Sequence, residues 1–125
     1  MIVTASSPIA YLTEKVAETL GLIKKRSPIY LGESNIEHMK QRHPADYAKY
    51  GNYIPEILNH PDYVGINPND NSIAFVKEFE IDGEFVKVAV RISSSGILFA
   101  RSLYIITDSK INNYIKKGSL KPLDK

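Results

Sequence analysis

Apolar positions along the chain change their period once. Up to about residue 60 they recur at three- and four-residue intervals, and from residue 72 to 106 they alternate with polar ones. In "SSPIAYLTEKVAETLG" the stripe Ile9, Leu12, Val16 and Leu20 predicts a helix capped by Ser7, with Pro8 in its first turn and Gly21 at its end. A short extended piece around "PIYLG" follows. "GESNIEHMKQRHP" predicts a second helix, with Ser34 as N-cap and Glu37 completing a capping box. It should stop near Arg42, because Pro44 drives the preceding residue out of the α region. "ADYAKYGNYIPEILNHP" reads as a helical turn and then a short helix with Pro55 in its first turn, and His60 serves as a helix-stop residue.

The alternating region predicts three strands. "SIAFVKEFE" and "EFVKVAVRIS" meet at Asp82-Gly83, a strong hairpin signal, and "SSSG" turns the chain into "ILFARSLYII". "DSKINNYIKKG" then predicts a closing helix with Asp108 as cap and Gly118 as stop. The expected class is α+β, with N-terminal helices packed on a three- to four-stranded antiparallel sheet and a C-terminal helix. On the second strand Val86, Val88, Val90 and Ile92 point one way, while Phe85, Lys87, Ala89 and Arg91 point the other. On the third, strict alternation groups Arg101 with Phe99 and Leu103, and Ser102 with Tyr104. On the first, Lys77 shares its side with Phe75 and Phe79. Alternation alone does not say which side of the outer strands meets the core.

Composition narrows the picture. A chain of 125 residues, 43% hydrophobic and 24% charged, is of one-domain size and buries roughly two-thirds of its unfolded surface. It carries no run of the ~20 apolar residues a spanning helix needs. The first twenty residues are too polar for a signal peptide. With no cysteine there are no disulfides or thiolate metal sites, which fits a cytoplasmic setting. Net charge is only +2, yet residues 107–125 hold five bases against two acids. That basic tail suits either a solvated end or a phosphate-backbone contact.

The chain has three histidines, and "IEHMKQRHP" holds two of them. His38 and Arg42 lie four apart on one helix face, while Ile36, Met39 and His43 form a second line turned inward. Paired imidazoles supply one base and one acid near neutral pH, worth ~10²–10⁴ in rate. The alternative is a helix end whose histidines bond the backbone. Zinc fits poorly, since the two histidines are five apart and about 140° around the helix. Lys77, Lys87, Arg91 and Arg101 form a second group suited to phosphate oxygens, or else to a solvated sheet face balanced by Glu78, Glu80 and Glu84. Ser102 and Tyr104 offer hydroxyl donors, and Tyr104 a ring on which a base can stack.

Four stretches, "IYLGESNIEHMKQRHPADYAKYGNYIPEILNHPDYVG", "SIAFVKEF", "FVKVAVRI" and "FARSLYII", together resemble the phage barnase–EndoU–colicin–RelE-like nuclease family. The resemblance covers roughly residues 28–118, with 1–27 as a helical extension and 119–125 as a basic tail. Its most specific parts are H-x-x-x-x-H-P, I-P-E-I-L-x-x-P-D-Y and an Arg–hydroxyl–Leu–Tyr strand, with Ser102 where the family typically has threonine. It implies a metal- and cofactor-free endoribonuclease, toxin-like and of phage or mobile-element origin. His38, Arg42, His43, Arg101, Ser102 and Tyr104 match its motif positions as catalytic residues. Lys77, Lys87 and Arg91 join them as RNA phosphate contacts by strand geometry. Implied partners are RNA, including tRNA or ribosome-bound mRNA, and an antitoxin or immunity protein, with no membrane and the option of delivery to another cell. The other reading is a non-catalytic RNA- or protein-binding phage module that kept the fold, using Tyr47, Tyr50 and Tyr53 as an aromatic surface.

Overall fold

The computed structural model describes residues 7–23 and 26–123. Their strands are β1 (Ala10–Leu12), β2 (Ser27–Tyr30), β3 (Tyr63–Ile66), β4 (Ile73–Phe79), β5 (Glu84–Ile92), β6 (Leu98–Ile106) and β7 (Lys121–Pro122). Helices are α1 (Glu14–Leu20), α2 (Glu33–Arg42), α3 (Pro44–Tyr50), α4 (Ile54–Asn59) and α5 (Asp108–Lys117), with a 3₁₀ turn at Gly51–Tyr53. All seven strands form one sheet in the order β1-β2-β6-β5-β4-β3-β7, antiparallel except where β2 runs parallel to β6. The class is α+β as expected, but the sheet is larger than the three to four strands anticipated. The β4–β5–β6 meander is its centre, and short strands distant in sequence extend it on both sides.

The largest correction falls at the N-terminal end. Ala10–Leu12 is a strand paired to Ser27–Ile29, and helix α1 starts only after Thr13, whose hydroxyl accepts from Val16 N at 3.2 Å. Gly21 ends it as foreseen, with φ of 70°. Both β1 and α1 feed the main core through Ala10, Leu12 and Val16. Other helix starts also shift: Gly32, not Ser34, caps α2, and Asn35 Oδ1 accepts from Gly32 N at 2.9 Å. Thr107, not Asp108, caps α5. Asp82-Gly83 does lie in the β4–β5 turn, with Gly83 at φ of 64°.

The sheet has two covered faces. On one, Val86, Val88, Val90, Phe75, Ala100 and Leu103 pack against Met39 of α2, Ile54, Ile57 and Leu58 of α4, and Val16 of α1. On the other, Ala74, Val76 and Ile106 pack under Ile111 of α5 and Leu120. Truncating one of the fully buried large residues, such as Phe75 or Leu58, to alanine should cost ~2–5 kcal/mol. Helix α5 covers only part of its face. Beside it the neighbouring pair Ala74 and Ala89, on β4 and β5, leaves the sheet surface low and open. Among the described residues no helix is long and apolar enough to cross a membrane.

Candidate functional site

The open part of that face holds a pocket of ≈ 320 Å³. Its floor is Ala89, one wall is Arg101, Ser102 and Tyr104 of β6, and another is His38, Arg42 and His43. Arg91, Asp70 and Ser72 close the third side. Residues from both halves of the chain therefore meet at one place.

Local physics explains the histidine wall. Strand β2 pairs with β6 only at Leu98 and Phe99, so β6 beyond that point has no strand on this side. Helices α2 and α3 lie there instead, and Asp46 Oδ2 accepts from Ile105 N at 3.1 Å. Met39 anchors α2 in the core. Pro44 begins α3 and forces His43 to φ −142°, ψ 68°, which breaks the helix direction there. The His43 ring then stacks on Tyr104, with centroids 4.9 Å apart and planes 28° from parallel.

A register slip builds the facing wall. Ala89 pairs with Ser102 while Val90 pairs with Ala100, so Arg101 is an extra residue in β6. Such a bulge sets two residues against one. Ala100 and Leu103 both enter the core, and Arg101 and Ser102 both line the pocket. The strict alternation that grouped Arg101 with Leu103 is thereby corrected.

Charge within the pocket is arranged unevenly. Burial, then Arg101, Arg42 and His43, hold the His38 imidazole below its ordinary value and so favour its neutral form. Arg91 donates to Asp70 Oδ2 at 3.0 Å. Asp70 also accepts from the backbone N–H and hydroxyl of Ser72, and these bonds with Arg91 bring its carboxyl down to about 2. Among the described residues neither Arg42 nor Arg101 is held in an ion pair, leaving their guanidiniums for an incoming anion. Lys87 Nζ donates to the Tyr104 hydroxyl oxygen at 3.1 Å, which leaves the hydroxyl proton available to the pocket.

Of the nine residues singled out in the sequence, seven line this pocket: His38, Arg42, His43, Arg91, Arg101, Ser102 and Tyr104. Lys87 stands just behind it, through Tyr104. Lys77 is elsewhere: it projects on the core side of β4 with Phe75, and its ammonium donates to His60 O at 3.0 Å. Of the expected aromatic surface, Tyr47 and Tyr50 pack against the core, while Tyr53 stays 46% exposed. Tyr50 is 2% exposed and contacts Phe79, as does Tyr53. Asp70 and Ser72 were missed, and the turn-forming run "NPNDNS" around them was the available signal. Among the described residues no group of three or more His, Cys, Asp or Glu could hold a metal ion.

No curated protein and no solved structure matches the chain. Residues 8–113, which contain every residue lining the pocket, match the family model described as phage-Barnase-EndoU-ColicinE5/D-RelE like nuclease3. The chain belongs to that nuclease family.

Proposed function

We propose that the protein is a metal-independent endoribonuclease that uses the ribose 2′-hydroxyl as nucleophile. The observation that carries this reading is the meeting of two imidazoles, unpaired guanidiniums and hydroxyl donors in one open pocket, where the surroundings favour the neutral form of His38. His38 takes the 2′-hydroxyl proton, the 2′-oxygen attacks the adjacent phosphorus, and the bond to the 5′-oxygen breaks. His43 returns a proton to that leaving oxygen. Arg42 and Arg101 stabilise the charge that grows on the phosphoryl oxygens, and Ser102 and Tyr104 donate to the same oxygens. The products are a 2′,3′-cyclic phosphate and a 5′-hydroxyl. A toxin-like role, a phage or mobile-element origin and a cognate antitoxin or immunity protein extend the reading and rest on family membership.

The test is to incubate the purified chain with RNA in EDTA, with and without ribosomes, and to repeat it with His38→Ala. Cleavage leaving cyclic phosphate ends, reduced ~10²–10⁴-fold by the substitution, is expected. No cleavage under any condition, or equal cleavage by both proteins, overturns the proposal. Salt-sensitive RNA binding without cutting would instead establish the binding-module reading.

A further inference from the structure

A second pocket of ≈ 320 Å³ opens on the same sheet face, between α5 and the loop that follows β3. We propose that it is a nucleobase subsite, holding the base next to the scissile phosphate and thereby selecting single-stranded RNA. This rests on the nuclease reading for its position, though its own chemistry is separate.

The two pockets are neighbours through Lys87 and Tyr104. Lys87 lines the second pocket and its ammonium bonds the Tyr104 hydroxyl, which lines the first. Lys87 and Ala89, on the same face of β5, are about 6–7 Å apart. That separation is comparable with one nucleotide step of an extended strand. Both pockets share the Asn67–Ser72 loop as a wall, with Asn67 and Asn69 on the second side and Asp70 and Ser72 on the first.

Chemically the second pocket fits a base better than a bare phosphate. Its lining includes Ala74, Ile66, Ile106 and Leu120, with the Tyr114 ring at one side, and no acidic residue. An apolar cavity with a few fixed polar groups is how planar ligands are held, and an aromatic ring accepts any base by stacking. The loop that presents the Asn69 side chain is held in shape by its own bonds. Asn67 Oδ1 accepts from Asn69 N at 2.9 Å, Asn67 N donates to Ser72 O at 2.9 Å, and Asn71 N donates to Asn67 O at 2.8 Å. Asn71 holds φ of 61°, which asparagine tolerates, and completes this tight loop. The Asn69 side chain has no partner among the described residues, so its amide can read a base edge. Lys117 at the rim favours a polyanionic strand. A base can enter such a hollow only when unpaired, hence the preference for single-stranded or looped RNA.

The experiment measures binding apart from cleavage. A labelled 2′-O-methyl octanucleotide, which cannot be cut, is titrated by fluorescence anisotropy against the intact chain and against Asn69→Ala, Lys117→Ala and Tyr114→Ala. Affinity should fall about 10-fold or more for Tyr114→Ala and about 3-fold for each of the others, and a hairpin duplex should bind more weakly than the single strand. Asn69 and Lys117 are exposed, so their variants keep the fold even if Tyr114→Ala does not. Unchanged affinity in both, equal binding of duplex and single strand, or no binding by the intact chain, overturns the subsite. Cleavage that persists alongside unchanged affinity would sink the subsite and spare the nuclease reading. Subsite-dependent binding with no cleavage would do the reverse.

Discussion

At the scale of single residues, the proposed mechanism makes His38 decide the pH behaviour. Burial and the nearby Arg101, Arg42 and His43 disfavour its protonated form, so its pKa lies below 6.5. A base must be unprotonated to work, so the acid limb of kcat/KM should fall below pH 6.5. Replacing Arg101 with glutamine removes one positive neighbour, and the limb should move up toward 6.5, whatever happens to the height of the plateau. A pH–rate profile of both proteins on one RNA checks this; a limb that stays put rules out the electrostatic account. Stability follows the same sign. The folded chain binds this proton less readily than the unfolded one, so the contribution is intact above pH 6.5 and is lost as pH falls toward the folded value. Asp70 behaves differently, because its depressed carboxyl keeps the Arg91 link charged down to about pH 2. His38 and Arg42 were legible in the sequence because helix spacing is local. Asp70 was not, because its partner Arg91 is 21 residues away.

At the scale of elements, the site depends on a strand edge that helices cover. The Asp46–Ile105 bond is the polar link across that cover, and its acceptor is a half-buried side chain. Asp46→Ala should therefore cost ~1–3 kcal/mol, read as a Tm lower by roughly 4–10 °C, while leaving every pocket residue in place. A calorimetric scan showing no loss would mean that α3 is held well enough by its apolar contacts and by the bonds of Lys49 and Tyr50 to Glu84. Which elements the sequence revealed follows from how each is stabilised. The α2 stop at Arg42 and the α5 stop at Gly118 were readable, since proline and left-handed glycine act on their own neighbours. Strand β1 was not: three residues gain their structure from pairing with β2, and their apolar spacing also suits a helix. The slip in β6 was equally hidden, because nothing in "FARSLY" marks an extra residue.

At the scale of the whole molecule, one face of the sheet is fully packed, while the other is packed in part and carries both pockets. Lys77 and Lys87 looked equivalent as strand cations, yet lie on opposite faces, a choice that only the assembled core makes. The pocket-bearing face keeps its shape because α5 is fastened at its far end, where Ser119 lies against Gly65 of β3. A Cβ at Gly65 would intrude on the Ser119 carbonyl oxygen, and that obstacle is backbone. Gly65→Ala should destabilise by ~1–3 kcal/mol and loosen the second pocket, which Gly65 and Ser119 both line. Thermal unfolding together with octanucleotide affinity measures both effects, and an unchanged Tm would refute the tight approach. The order of strands carries one more consequence. Among the described residues the sheet is bounded by β1 and β7, of three and two residues. Foreign strands thus find scarcely any free hydrogen-bonding ladder to extend, and protection from edge-to-edge aggregation comes from topology where a net charge of +2 offers little repulsion.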